Sequence, residues 1–228
     1  MRKYFTLLLF FISLLLKTSV QAQYDTKISG RITNFGKHLD SANSVQFLIQ
    51  DITINDFITY ISELTKDGLF SIHFFADHTQ DISLEYKNGL YKILVSPGDE
   101  LKINFDADDV KNSMRFLGRD ARQNNDLKSY EKLVDAQYNG NWREHFQRAE
   151  RDSSPAGFKK FIYKKYTADV KLLNQFLKQS PRTSIFKNWA RQNITYENAD
   201  DLIRYATWGR DTSLLQLEGY FDFFKNFL

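Results

Sequence analysis

The chain of 228 residues carries 31 basic and 28 acidic side chains and contains no cysteine. The lack of cysteine excludes disulfide bonds, a thiol nucleophile, a Cys-x-x-Cys redox pair and a thiolate metal site. The near balance of charge gives no support for nucleic-acid binding, and the length and many aromatic residues indicate one large or two small domains with an apolar core.

The first 22 residues have the features of a secretory signal peptide. Arg2 and Lys3 precede an apolar run from Leu7 to Leu16, which is shorter than the ~18–20 residues that a membrane-spanning helix needs. Small residues predict cleavage between Ala22 and Gln23. The segment holds three of the basic residues and none of the acidic ones, so the rest of the chain has 28 of each. We therefore expect export to the periplasm or outer cell envelope, with no transmembrane segment in the mature chain; a membrane anchor is the alternative.

From Tyr24 to about Leu117, apolar residues alternate with polar ones in about seven short runs separated by turn residues. Such a pattern predicts an antiparallel β-sandwich rather than alternating strands and helices. Asp67-Gly68 is one turn signal. Pro97-Gly98-Asp99 is a stronger one, because Pro97 presets φ for the first central position of a type II turn and Gly98 supplies the positive φ of the second.

Beyond Gly118 the apolar period changes to three or four residues, which predicts about five helices and no strand. The first helix is expected over Arg122–Tyr138. Ser154-Pro155 and Ser180-Pro181 each combine a capping residue with a proline suited to the first helical position, so each predicts a helix start. A further helix is expected over Glu197–Trp208.

The fold class that follows is α+β, with an N-terminal antiparallel β-sandwich followed by an all-helical segment. The predicted organisation is a signal peptide over residues 1–22, a sandwich domain over 23–118 and a helical segment over 119–228. A last helix capped by Asp211-Thr212-Ser213 ends in the apolar stretch Phe221–Leu228. That stretch either docks on the other helices or presents a face meant for a further domain.

Four segments, taken in order, resemble one protein family. They are Ile28–Ile32, Asp67–Ile72, Val95–Asp99 with Leu101–Ile103, and Phe116–Gly118, and Asn124 follows them. Their order and spacing are similar to the N-terminal region of envelope thiol–disulfide oxidoreductases of Bacteroidota, the thioredoxin-like proteins of the TlpA/AhpC-TSA type. In that family a small DUF4369-like β-sandwich and a helical segment precede a thioredoxin domain that carries Cys-x-x-Cys.

The resemblance extends over roughly Thr26 to Asn125 and loosely over the helical part. It implies the fold of the front part and the envelope compartment but not the redox activity, because no residue here can take the cysteine roles. Gly118-Arg119-Asp120 also stands where the family often has Gly-Ser. We expect a truncated or degenerate relative, or a stand-alone accessory protein.

Two histidines, His73 and His78, bracket a short segment that contains Asp77. A metal site would need these side chains to converge, but residues five apart on a strand point to opposite faces. We therefore interpret them as surface and loop residues.

A cluster of acidic residues, Asp106, Asp108 and Asp109, follows the last predicted strand. Its spacing does not fit a calcium-binding EF-hand loop, which also needs a glycine at a fixed position. The interpretation is a solvated loop.

Aromatic and basic residues of the helical half suggest two surfaces. Tryptophans at helical spacing usually build a core, although they can form a glycan- or peptide-binding surface; these are Trp142, Trp189 and Trp208. Lysines on the outer face of one predicted helix are usually solvated, with weak attraction to an anionic membrane as the alternative; these are Lys160, Lys164 and Lys171.

Local catalytic signatures such as G-x-S-x-G, H-E-x-x-H, a P-loop or G-x-G-x-x-G are absent from the sequence. The sequence therefore predicts no catalytic, cofactor-binding or metal-ligating residue and favours a non-enzymatic protein. Its expected role is interaction or positioning, with another envelope protein or a thioredoxin-like domain as partner. A stand-alone glycan- or peptide-binding module is the second hypothesis, and a hydrolase with a site between sandwich and helices is the third.

Overall fold

The structure is a computed structural model that describes residues 25–38, 43–51, 56–207 and Gly219. It divides into two compact units, with the boundary between Asn125 and Asp126. Strands come first and helices follow, so the predicted α+β fold class is confirmed. The predicted cleavage site at Ala22-Gln23 and the apolar terminus Phe221–Leu228 lie outside the described residues.

The described residues of the first unit form eight strands. Their bounds are β1 Asp25–Thr33, β2 Ser44–Asp51, β3 Asp56–Glu63, β4 Leu69–Phe75, β5 Gln80–Tyr86, β6 Gly89–Val95, β7 Glu100–Asp106 and β8 Arg115–Leu117. Sheet A has the order β4-β1-β7-β8 and sheet B the order β3-β2-β5-β6. All pairs are antiparallel except β1 with β7, which run parallel. The parallel pair is a feature that alternation alone does not reveal, because the period is two in either direction.

Alternating side chains of both sheets meet in one apolar core. Phe47 of sheet B lies 6.1 Å from Phe70 of sheet A, measured between ring centroids. Phe105 of sheet A and Tyr86 of sheet B pack edge to face at 5.3 Å. The predicted period-two pattern is therefore confirmed as the burial pattern of a sandwich. Strand β8 was missed, as was the one-turn helix α1, Val110–Ser113, because neither is long enough to show a period.

Gly30 in the middle of β1 permits the close approach of the two neighbouring strands. A Cβ atom at this position would lie 1.8 Å from the carbonyl oxygen of Ile103 in β7 and 2.5 Å from the ring of Phe70 in β4. Real Cβ atoms do not approach other atoms so closely, so only glycine fits without movement of the parallel strand.

Four further helices follow in the described residues: α2 Arg122–Gln137, α3 Trp142–Asp152, α4 Pro155–Gln179 and α5 Ser184–Thr207. The predicted start at Ser154-Pro155 is confirmed, because Ser154 accepts a hydrogen bond from the amide of Gly157 at 3.2 Å and Pro155 opens the helix. Helix α3 was not predicted. None of the described helices is both long enough and apolar enough to cross a bilayer.

The predicted helix start at Ser180-Pro181 is wrong. Ser180 follows the end of α4, and α5 begins at Ser184 after a cap by Thr183, whose hydroxyl accepts from the amide of Phe186 at 3.2 Å. The prediction of a separate helix over Glu197–Trp208 is also wrong, because α5 continues unbroken from Ser184 to Thr207. Polar residues near position 195 interrupted the apolar stripe in the sequence, although they are buried in the fold.

Aromatic rings form a large part of the core in the described helical unit. Phe158 of α4 stacks on Tyr205 of α5 with ring centroids 4.1 Å apart and planes 11° from parallel. A second group joins Tyr130 of α2, Phe176 of α4 and Phe186 of α5 at centroid distances of 5.6 to 5.8 Å. Such ring pairs add about 0.5–1.5 kcal/mol each beyond the area that they bury.

Candidate binding site

The predicted turn at Pro97-Gly98-Asp99 joins β6 of sheet B to β7 of sheet A. Gly98 has a φ of 76°, as the second central position of a type II turn requires. The amide of Asp99 donates to the carbonyl of Ser96 at 3.1 Å, and the amide of Ser96 donates to the Asp99 carboxylate at 2.8 Å. Gln123 donates to the same carboxylate at 3.2 Å.

Asp99 is only 6% exposed, and this burial raises the pKa of its carboxyl group to about 6. The hydrogen bond from Ser96 opposes the shift, whereas the negative charge of Asp120 adds to it. A raised carboxyl pKa can mark a catalytic acid, but here both hydrogen-bond donors belong to the turn and to the start of α2. Asp99 therefore organises the connection between the sheets.

Asn124 binds the free edge of sheet B. Its side-chain carbonyl accepts from the amide of Leu94 and its NH₂ group donates to the carbonyl of Leu94, both at 2.8 Å. The amide side chain thus takes the place that a neighbouring strand would occupy along β6. Arg119 completes the contact by donating to the carbonyl of Gly98 at 3.1 Å. We call Ser96–Glu100 together with Arg119–Asn124 the clasp.

The second predicted turn, Asp67-Gly68, joins β3 to β4. Gly68 has a φ of 72°, and a Cβ atom there would lie 2.2 Å from the carbonyl oxygen of Ile32. The amide of Ile32 donates a hydrogen bond to the carbonyl of Gly68 at 2.8 Å, so this turn is bonded to β1. Asp67 is exposed. Both predicted turns therefore shape the sandwich.

His73 and His78, which the sequence analysis interprets as surface and loop residues, are both exposed. His73 on β4 is exposed and lies 3.3 Å from Asp25, measured between Nδ1 and Oδ2. His78 contacts the adjacent Asp77 beyond the end of that strand. Across the described ranges, no three His, Asp or Glu side chains converge as a metal site would require.

The acidic residues after β7 organise a turn. Asp106 accepts from the amide of Asp108 at 2.9 Å, and Asp109 caps helix α1 by accepting from the amide of Asn112 at 3.4 Å. Their carboxylates therefore have backbone partners, which gives a structural reason for this cluster of acids.

A buried ion cluster in the helical unit was missed by the sequence reasoning. The Lys165 side chain is only 8% exposed, and its ammonium lies 3.2 Å from Asp169 and 4.0 Å from Asp201. It also donates to Asn198 at 3.3 Å, while Tyr138 donates to Asp169 at 2.5 Å. The i,i+4 spacing of Lys165 and Asp169 was the available signal. Arg204 lies 2.9 Å from Asp201, so the cluster joins α4 to α5 with two cations facing two carboxylates.

The predicted surface features of the helices are placed as follows. Lys160, Lys164 and Lys171 are exposed on α4, as expected. Trp189 on α5 packs against Phe186 with ring centroids 6.3 Å apart. The side chain of Trp142 and all of Trp208 lie outside what the structure describes.

An open depression of about 620 Å³ lies on the outer face of sheet A. Outward-facing side chains of β1, β4 and β7 supply most of its lining: Lys27, Ser29, Arg31, Ser71, Lys102 and Asn104. These positions alternate with the buried core residues of the same strands, so the face follows directly from the period of two. We call this surface the cationic depression.

Three cations in the cationic depression, Lys27, Arg31 and Lys102, are exposed, and none forms an ion pair with any residue that the structure describes. Elsewhere in the same unit, cations do lie near carboxylates, for example Lys92 at 3.9 Å from Asp81. The depression is therefore concave, polar and positively charged. Sequence reasoning missed it because the strands that form it are far apart in the chain.

Comparisons with known proteins add little. No protein-family model matches the chain, and no curated protein matches it. Among solved structures, a DUF3823 family protein from Parabacteroides merdae is similar, with 20% identity over 37% of this chain and a TM-score of 0.26. The match spans 46% of that protein, less than half of its length. Similarity at this level assigns neither a family nor a function to the chain.

Proposed function

We propose that the protein is a non-catalytic, exported envelope protein that acts by binding or positioning another molecule. The observation that carries the proposal is the cationic depression, an exposed polar concavity whose cations are without ion pairs among the described residues. The unusual polar groups elsewhere have structural partners, as Asp99 and Asn124 do in the clasp and Lys165 does between the helices. The cationic depression is therefore the surface to which we assign the binding role.

The closer relationship that we propose is to the accessory N-terminal part of the TlpA/AhpC-TSA oxidoreductases, with a DUF4369-like front unit. The proposal is supported by the places of the resemblance motifs in the sandwich, where few residue types fit. Gly30 lies between closely spaced strands, Gly68 and Gly98 have positive φ, and Asn124 binds the sheet edge. Proteins that share this architecture need such residues at the same points of the sandwich, even though these points are far apart in the sequence. A thioredoxin-like domain or another envelope protein is then the natural partner.

Two measurements on the purified protein test this proposal. The first is reduction of insulin by dithiothreitol, in which we expect no acceleration because the chain has no thiol to exchange. The second is calorimetric titration with a TlpA-type thioredoxin domain, in which we expect saturable binding. Turnover that scales with the amount of this cysteine-free protein would contradict the non-catalytic role.

A stand-alone glycan- or peptide-binding module is the second candidate function. The hydroxyl and amide side chains in the cationic depression favour it, because Ser29, Ser71 and Asn104 are suited to hydrogen-bonding a polar ligand. The two candidate functions predict different results in the calorimetric titration with the thioredoxin domain. A stand-alone module leaves the thioredoxin domain unbound and binds a glycan or peptide instead.

A further inference from the structure

We propose that the cationic depression binds an acidic polysaccharide, a sugar chain that carries repeated carboxylate groups. The inference rests on the proposed function, in which the protein acts by binding, and it specifies both the surface and the chemical class of the ligand.

The positions of the cations suit an extended anionic chain. Lys27 and Arg31 lie four residues apart on one face of β1, which separates their Cα atoms by roughly 13 Å at about 3.3 Å per residue. Lys102 lies on the adjacent strand β7, opposite Ser29, and therefore between them. The charges form a triangle that one linear ligand with several carboxylates can contact at once, whereas a single small anion cannot reach all of them.

Among the described residues, no ion pair neutralises the three cations of this surface. Acidic residues do lie nearby: Glu63 contributes to the lining, and Glu100 is opposite Lys27 in the parallel ladder. Neither forms an ion pair with a cation of the depression among the residues that the structure describes. Like charges on neighbouring positions of a sheet repel one another, and a polyanionic ligand would relieve that repulsion.

The backbone of this face favours a sugar chain over an acidic peptide. Extended peptides usually bind by adding a strand to a free sheet edge, where main-chain groups are available. Strand β1, which carries two of the three cations, has neighbours on both sides, β4 and β7. Strand β4 is the edge strand of sheet A, but there the amide of Ser71 already donates to the hydroxyl of Ser62 at 3.1 Å. Recognition on this face therefore rests mainly on side chains. The hydroxyl groups of Ser29 and Ser71 are suited to a hydroxyl-rich ligand, and so is the NH₂ group of Asn104, whose side-chain carbonyl already accepts from the amide of Arg31 at 3.0 Å.

The test is calorimetric titration of the purified protein with polygalacturonate at low and at physiological salt. Binding is expected at low salt and is expected to weaken as salt rises, because exposed charges are screened. A variant that removes the charges of the depression, Lys27→Gln with Arg31→Gln and Lys102→Gln, should bind at least about tenfold more weakly. Circular dichroism establishes that the variant keeps the wild-type fold.

The matched control removes three charges from the exposed face of helix α4: Lys160→Gln, Lys164→Gln and Lys171→Gln. Its net charge change is the same, so an affinity within about twofold of wild type shows that location rather than total charge decides binding. Equal losses in both triple variants would overturn the proposal, and so would an absence of binding at low salt.

Poly-glutamate, which also carries one carboxylate per unit, serves as the competing ligand. If it binds the depression as tightly as polygalacturonate, the ligand class is acidic peptide and the polysaccharide inference is wrong. Methyl-esterified pectin, in which the carboxylates are neutralised, should not bind. These outcomes are independent of the insulin and thioredoxin-domain measurements, so failure of this inference is distinguishable from failure of the proposed function.

Discussion

Replacement of Asn124 by alanine is expected to destabilise the first unit strongly. The side chain is completely buried and forms two hydrogen bonds with the backbone of Leu94, each 2.8 Å long. Alanine leaves the amide and the carbonyl of Leu94 without these partners in a site that the side chain had filled. Because each of the two unsatisfied buried groups costs about 1–3 kcal/mol, the free energy of unfolding should fall by about 2–6 kcal/mol.

Hydrogen exchange is the appropriate assay. All three tryptophans follow Asp126 in the sequence, so tryptophan fluorescence reports on the second unit. Exchange of the amides of Leu94 and Ile93 reports on the sheet edge that Asn124 binds. We expect both amides to lose protection in the variant, by an amount that matches the loss of stability measured by calorimetry.

Asn174→Ala is the matched control, because Asn174 lies exposed on helix α4. It should change the free energy of unfolding by no more than about 0.5 kcal/mol. If Asn124→Ala has an equally small effect and Leu94 keeps its protection, then the side-chain amide does not replace a strand, and our account of the clasp is refuted.

Three further predictions address other features. Gly30→Ala should lower the free energy of unfolding by more than about 2 kcal/mol, because its Cβ atom would lie 1.8 Å from a backbone oxygen. Gly36→Ala, with no atom within 4 Å, is the control in the same denaturation experiment, and equal stabilities would contradict the packing argument. The raised pKa of Asp99, about 6 against an ordinary 3.8, means that folding favours its protonated form, so its contribution is lost as pH rises through both values. The stability of Asp99→Asn relative to wild type should therefore increase from about pH 4 to about pH 7, and a flat difference would exclude the shift. Export of the full chain should yield an N-terminus at Gln23 by protein sequencing, and Ala22→Trp should leave the segment attached; an N-terminus at Met1 in wild type would contradict the signal peptide.

Local patterns predicted much of the fold. Alternation in β1, β2, β4, β5 and β7 matches their buried and exposed faces, and Gly98 has the turn conformation that its neighbour Pro97 indicated. Ser154 also caps a helix as predicted. These features depend on interactions within a few residues, which is why sequence alone could reveal them.

The features that could not be predicted depend on distant partners. The pairing of β1 with β7 and the three charges of the cationic depression arise only when separated strands align. Asn124 could be placed in a motif but not on a sheet edge, since its partner Leu94 is 30 residues earlier. The start of α5 was misplaced because Thr183, and not Ser180, accepts the bond that caps it.

The parallel pairing of β1 and β7 has a kinetic consequence. Ile28 pairs with Leu101, and the same long separation holds along the whole ladder. Closing so long a loop costs entropy before the contact stabilises anything, and folds dominated by such pairings form in milliseconds to seconds rather than microseconds. A chain that has been synthesised only as far as β6 therefore lacks β7, which is the parallel neighbour of β1 in sheet A. Until Glu100–Asp106 is available, one edge of β1 stays exposed to pairing with other chains.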